Sequence, residues 1–147
     1  MALSLKPIDE SNFEACIDLD VTDYQKQFVA SNMYSLAECY AVKEADGFLM
    51  VDQDTFVGFT MISYETEGDF KGPWIVRFMV DQRFQRKGYG RQAMIHVLEK
   101  FKSLHPNETI YLSTKENNTT AILLYESFGF KATGKMLYGE MVFARFK

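Results

Sequence analysis

Between Arg83 and Arg91 the chain sets four cations, Arg83, Arg86, Lys87 and Arg91, within nine residues, with two glycines threaded among them in Gln85-Arg86-Lys87-Gly88-Tyr89-Gly90. Glycines at a loop-to-helix junction let backbone N–H groups come close to a ligand. The new helix adds unpaired donors and the positive end of its dipole. Cationic side chains strengthen the same preference. The chemistry that suits such a stretch is holding a phosphate-bearing anion. It is not a Walker A loop, because the GxxxxGK[ST] spacing is missing, nor a dinucleotide fingerprint, which needs GxGxxG early in a βαβ unit. The same residues also fit a glycine turn dressed with solvated bases, and the loop alone leaves both readings open.

An anion loop works only if a buried strand and a helix hold it, and the pattern supplies both. Trp74–Val80 is a largely apolar run, as a central strand covered on both faces would be. Gly90–Leu104 is apolar at helical period, with Ala93, Met94, Val97, Leu98 and Phe101 on one side. Further strands are predicted at Ser4–Ile8, Phe48–Val51, Thr55–Ser63, Thr109–Ser113, Ala132–Leu137 and Glu140–Phe146. Asp9 is expected to cap a helix reaching Leu19, with Phe13, Ile17 and Cys16 as its apolar stripe. Ser35-Leu36-Ala37-Glu38 fits a capping box that would open a second helix, and Asn118–Phe128 reads as a helix stopped by Gly129. Mixed strands and helices without repeat or linker predict one α/β (α+β) domain over residues 1–147 with a mixed sheet.

Composition narrows the class. The chain has 147 residues, 47% of them hydrophobic and 24% charged, enough for one core without metals or disulfides. No apolar run reaches the length of a membrane helix, and the opening residues MALSLKPIDE lack the basic and apolar regions of a secretory signal. Cys16 and Cys39 read as reduced core residues of a cytoplasmic protein. The net charge of −4 hides a split: residues 1–70 hold three basic and fourteen acidic residues (−11), the remainder thirteen basic and six acidic (+7). That division suggests one surface for an anion and another for a cation. A nucleic-acid module, which the +7 half alone would allow, is opposed by the acidic half and by the lack of a recognition-helix or RNP signature.

A second segment follows about thirty residues after the loop: Asn118-Thr-Thr-Ala121-Ile-Leu-Leu-Tyr125-Glu-Ser-Phe-Gly129-Phe130. Q-x-x-G-x-G after a strand, followed by N-x-x-A-x-x-x-Y-x-x-x-G-F, resembles the GNAT N-acetyltransferase superfamily, and the two motifs with their strands cover about Trp74–Phe130. The resemblance implies a sheet of about six to seven strands flanked by about four helices, with the two central strands splayed. It implies acetyl-CoA as acetyl donor and no metal. Backbone amides from Gln85 to Arg91, through Arg86, Lys87, Gly88, Tyr89 and Gly90, would cradle its pyrophosphate. Its pantetheine arm would pair with Phe78, Met79 and Val80, with the Val80 N–H as oxyanion donor. Asn118 matches the asparagine that bonds the cofactor arm, although it also suits a helix N-cap. Tyr125 matches the acid that protonates the departing thiolate, although a tyrosine on an apolar helix is also a core residue.

The proton acceptor is less obvious. Relatives of the polyamine type carry a glutamate on the central strand near the position occupied here by Val76, and neither Val76 nor Arg77 can replace it. A water chain ending on Glu65, Glu67 or Asp69, or on Tyr64, is the substitute the sequence offers, while His96 and His105 read as structural or solvated. Gln25–Glu38 resembles the acceptor region of diamine and spermine/spermidine acetyltransferases, which implies a small-molecule polyamine or diamine substrate. Asp20, Asp23 and Asp69 would supply charge, and Tyr24, Phe28, Tyr34 or Trp74 cation–π contact. Two alternatives stand beside it: another amine (an amino acid, an aminoglycoside or a protein N-terminus), or a non-catalytic acyl-CoA-binding module. The C-terminal hairpin could pair across a homodimer, as in many relatives.

Overall fold

A computed structural model of the chain describes residues 2–64 and 67–146. One sheet of seven strands runs through it: β1 Leu3–Pro7, β2 Ala45–Asp52, β3 Thr55–Ser63, β4 Trp74–Val80, β5 Ile110–Thr114, β6 Lys131–Leu137 and β7 Glu140–Arg145, in spatial order β1-β2-β3-β4-β5-β7-β6. All neighbours are antiparallel except β4 and β5. Four helices complete it: α1 Phe13–Asp18, α2 Asn32–Ala41, α3 Tyr89–Leu104 and α4 Thr119–Ser127. The mixed sheet flanked by helices is the architecture the sequence predicted. No helix among the described residues is long and apolar enough to cross a membrane.

Period-2 alternation sends the strand side chains to two cores. Leu49 and Val51 of β2 join Phe59, Met61, Met79, Cys16 and Leu19 beneath α1 and α2. Phe48 of β2 turns to the opposite face, where Ile62, Ile75 and Phe143 meet Met94, Val97 and Phe101 of α3 and Tyr125 of α4. Each such large side chain withdrawn from water stabilises the fold by about 1.5–3 kcal/mol, so α3 is fixed to the sheet by its predicted stripe.

Two helix starts differ from the sequence reading. Asp9 does not cap α1: its carboxylate accepts from Ser11 N–H at 2.8 Å, and Asn12 closes the turn by accepting from Asp9 N–H at 2.9 Å. The helix therefore begins at Phe13, which stays exposed, and Cys16 carries the buried face. Helix α2 begins a turn before Ser35, capped by Ser31 Oγ accepting from Tyr34 N–H at 3.1 Å. Ser35 and Glu38 have the spacing of a capping box but face inward together, where they accept from Arg77 Nε at 3.2 Å and Nη2 at 3.0 Å. The end of α4 behaves as expected. Gly129 takes φ +90°, and the bonds Phe130 N–H to Tyr125 O and Gly129 N–H to Glu126 O form a Schellman motif.

Candidate active site

Strands β4 and β5 share one register pair, Trp74 with Tyr111, and then part. The cause lies in β4, where Arg77 pairs with Met61 and Ile75 with Ile62, leaving Val76 as an extra residue. Such a bulge bends its strand and re-aims the side chains beyond it. The opening is a cleft of about 870 Å3, lined by β4 from Ile75 to Val80, by Leu112–Thr114 of β5, and by the start of α3 and the inner face of α4. Asp81 N–H donates to Val57 O at 2.8 Å on the far side of β4. Successive residues of an antiparallel ladder turn their amides to alternate sides, so Val80 and Phe78 present theirs to the opening. Gln85 Nε2 meets the Val80 carbonyl at 2.9 Å.

The mouth of the cleft is the loop read from the sequence. Gly88 sits at the N-cap of α3 with φ +86°, a left-handed conformation that costs an L-residue ~1–2 kcal/mol. Arg86 adopts φ +63° beside it. The first intrahelical bond of α3 runs from Gln92 N–H to Gly88 O, which leaves the preceding amides outside the helix ladder. Gly90 is free of backbone constraint. A Cβ built there would meet Leu124, Phe78 and Val80 at 3.5, 3.9 and 4.0 Å, ordinary contacts with residues that line the cleft. The fold does not require glycine at this position, whereas a ligand seated against the amides would.

Of the four cations, Arg86 and Arg91 line the mouth, and Arg91 lies over the Phe128 ring at 5.0 Å. Arg83 is bound to Asp81 at 2.8 Å, and Lys87, outside the lining, stands 5.8 Å from the Phe84 ring. Tyr89 lines the mouth, and its phenol donates to Asp52 Oδ2 at 2.5 Å, pinning α3 to β2. A strap crosses the cleft at the 3₁₀ turn Tyr24–Gln27: Gln25 and Gln85 exchange amide bonds at 3.1 and 2.8 Å, and Asn117 reaches Gln27 at 3.3 Å.

Tyr125 stands inside, buried, with its ring edge-on to Phe78 at 6.5 Å. Burial, and secondarily the charge of Glu140, push its phenol up to about 12. Asn118 occupies the N-cap position of α4 but makes no capping bond. Its Nδ2 donates to Thr114 Oγ1 at 3.0 Å, which orients the amide at the cleft wall. Glu140, at the start of β7, lines the cleft and accepts from Ser113 Oγ at 2.8 Å.

A model of the acetyltransferase (GNAT) family matches residues 13–130. Over 153 residues, with 99% of each chain covered, the sequence is 31% identical to a spermine/spermidine N(1)-acetyltransferase of Bacillus subtilis (strain 168). The chain belongs to the GNAT acetyltransferase family. It is an acetyl-CoA-dependent N-acetyltransferase. A crystal structure from Pyrococcus horikoshii OT3 shares its fold with a TM-score of 0.77 at 26% identity, covering 99% of both chains. So does a GNAT family acetyltransferase from Elizabethkingia anophelis with acetyl-CoA bound, with a TM-score of 0.70 at 15% identity, covering 99% of this chain and 98% of that one.

In this GNAT chain the cleft brings together Phe78, Met79, Val80, Gln85, Arg86, Gly88, Tyr89, Gly90, Arg91, Asn118 and Tyr125, and adds Phe28 from the acceptor segment. The other acceptor candidates stand elsewhere. Asp20 borders an adjoining cavity of about 360 Å3, and both it and the solvent-exposed Asp23 are bound to Lys26, at 3.4 and 3.3 Å. Tyr24 packs edge-on against Phe28 from the solvent side, and Tyr34 is exposed on α2. Trp74 is core, in a cluster with Phe70, Tyr111 and Val142. Asp69 is exposed, and Glu67 lies outside the lining, where Tyr138 donates to it at 3.4 Å. Glu65 falls outside the described residues. Tyr64 does not face the cleft: it packs on His105 and Phe101 near the end of α3.

Among the described residues the acidic surplus of residues 1–70 thus stands mainly on the surface, and the one carboxylate lining the cleft comes from the basic half. Glu140 went unnoticed because its relation to Ser113 crosses 27 positions of sequence; the one local signal was its place directly after the Tyr138-Gly139 turn. Among the described residues no three His, Cys, Asp or Glu side chains gather as a metal site. Cys16 and Cys39 are free thiols, which burial pushes up to about 12 and about 11.

Proposed function

We propose that the protein transfers the acetyl group of acetyl-CoA directly to a primary amine of a polyamine or diamine, both substrates being bound at once. The observation that carries this reading is the cleft between β4 and β5, with amide donors at one end and a buried phenol inside. Its volume of about 870 Å3 is of the size that cofactor sites occupy. The amides at the start of α3, with Arg86 and Arg91, would hold the pyrophosphate. Phe78 and Val80 would pair with the pantetheine arm, and the Val80 N–H would stabilise the developing oxyanion. Asn118 would bond the arm.

Tyr125 would donate a hydrogen bond to the departing sulfur. Burial pushes the phenol up, so it stays protonated and available as a donor to the departing thiolate. The proton that finally rests on sulfur is balanced by one the amine has lost. The acceptor class is supported by the full-length likeness to the Bacillus subtilis spermine/spermidine acetyltransferase and by a carboxylate inside the cleft. The Arg77 guanidinium donates to Ser35 and Glu38, so its charge is matched and opposes a cationic substrate little. The test is a panel of spermidine, spermine, short diamines, amino acids, an aminoglycoside and a peptide α-amine, read by thiol release from acetyl-CoA. Turnover highest with spermidine, spermine or a diamine is expected, and turnover confined to the other amines would overturn the polyamine assignment.

A further inference from the structure

A polyamine reaches the site as an ammonium, with a pKa near ~10, so its nitrogen has no lone pair until a proton leaves. The strand position that would carry a base is occupied by Val76 and Arg77, and the guanidinium of Arg77 is bound to Glu38 at 3.0 Å. Among the described residues that line the cleft, Glu140 is the one carboxylate. It is half-buried at the first position of β7, where the pairing of β7 with β5 brings it beside Ser113. The serine hydroxyl holds Oε1 at 2.8 Å, and among the described residues no hydrogen bond or ion pair engages Oε2. Glu140 also lies near enough to Tyr125 for its charge to act on the phenol. Carboxylate and phenol therefore share one stretch of the cleft, as attack of nitrogen and departure of sulfur at the same carbonyl carbon require.

The geometry points to Glu140 as the carboxylate that receives the acceptor ammonium and takes the proton it must lose before attack. The inference rests on the acetyl-transfer reading above. In the step, one N–H bond of the ammonium breaks and its proton passes to Glu140, directly or through one water. The freed pair forms the C–N bond as the C–S bond breaks, its electrons leaving on sulfur. The nitrogen then gives up a second proton, which balances the one the thiolate takes up beside Tyr125. The sum is ammonium plus thioester giving amide, thiol and one proton, which Glu140 returns to solvent.

The experiment compares wild type with Glu140→Gln, whose amide oxygen still accepts from Ser113, and with Glu140→Asp. Two acceptors are used at neutral pH: spermidine, which is cationic, and O-methylhydroxylamine, which is neutral and needs no base to free its lone pair. For Glu140→Gln, kcat/KM with spermidine should fall by at least ~100-fold, the scale of a lost proton acceptor. The loss with O-methylhydroxylamine should be much smaller, CoA affinity should stay within about twofold, and Glu140→Asp should recover part of the spermidine rate. Wild-type kcat/KM for spermidine in Glu140→Gln, or an equal loss with both acceptors, would overturn the assignment. Absence of any amine turnover by wild type would instead overturn the acetyl-transfer reading beneath it.

Discussion

Replacing Gly90 by alanine separates a glycine kept for the fold from one kept for a ligand. Its backbone is helical and carries no positive φ, and the added methyl would meet Leu124, Phe78 and Val80 at 3.5–4.0 Å, contacts that cost nothing. Exchanging glycine for alanine inside a helix gains up to ~1 kcal/mol. For a chain of this size that gain raises Tm by about 2–4 °C. The same methyl stands among cleft-lining residues at the start of α3, where it would keep a pyrophosphate from the amides. Losing one hydrogen bond to a charged group costs about 1.5–3 kcal/mol, or roughly 10- to 150-fold in Kd. Differential scanning calorimetry of the free protein and isothermal titration with CoA measure the two effects. The variant should be as stable as wild type or slightly more so, yet bind CoA at least about tenfold more weakly. CoA affinity within twofold of wild type would refute the cradle. A Tm lowered by several degrees would refute the claim that the fold tolerates the methyl.

Three further outcomes rest on charges and protons in the same region. Tyr125→Phe should lower kcat by about 10²-fold, the scale of a lost transition-state donor, with CoA affinity nearly unchanged. Because burial first, and Glu140 second, raise the wild-type phenol to about 12, it stays protonated well above neutrality; a kcat–pH profile should show no alkaline fall from loss of this donor below pH ~10. Asp81 is buried, which by itself opposes its ionisation, but bonds from Arg83 and from the N–H of Asp20 outweigh burial and hold its carboxyl below the usual 3.8. A lowered carboxyl contributes stability that is complete above its unfolded pKa and is lost as the pH falls through the folded value. Asp81→Asn should therefore destabilise the protein at neutral pH, and its deficit in urea unfolding should shrink below pH ~4.

Much of the scaffold was legible because its signals are local. A central strand betrays itself by the apolar run Trp74–Val80, α3 by its stripe from Ala93 to Phe101, and the end of α4 by Gly129. Helix starts were less legible, since a serine and a glutamate three residues apart satisfy a capping box and a two-point receptor for Arg77 equally well. Only the packed chain shows which way the pair faces.

The site divides along the same line. The sequence by itself located the glycine-and-cation loop that forms the mouth of the cleft and the positions of Asn118 and Tyr125, because glycines, cations and motif residues lie within a few positions of one another. Tertiary structure alone decided which charges enter the cleft. A net charge counts residues without regard to burial, so the acidic first half looked like a cation site while its carboxylates stand mostly in water. Among the described residues the carboxylate in the cleft is Glu140, placed there by the pairing of β7 with β5, and the cleft opens where one extra residue in β4 turns the two central strands apart. Neither a strand register nor a bulge is written in residue types, since both are settled by pairing with distant strands.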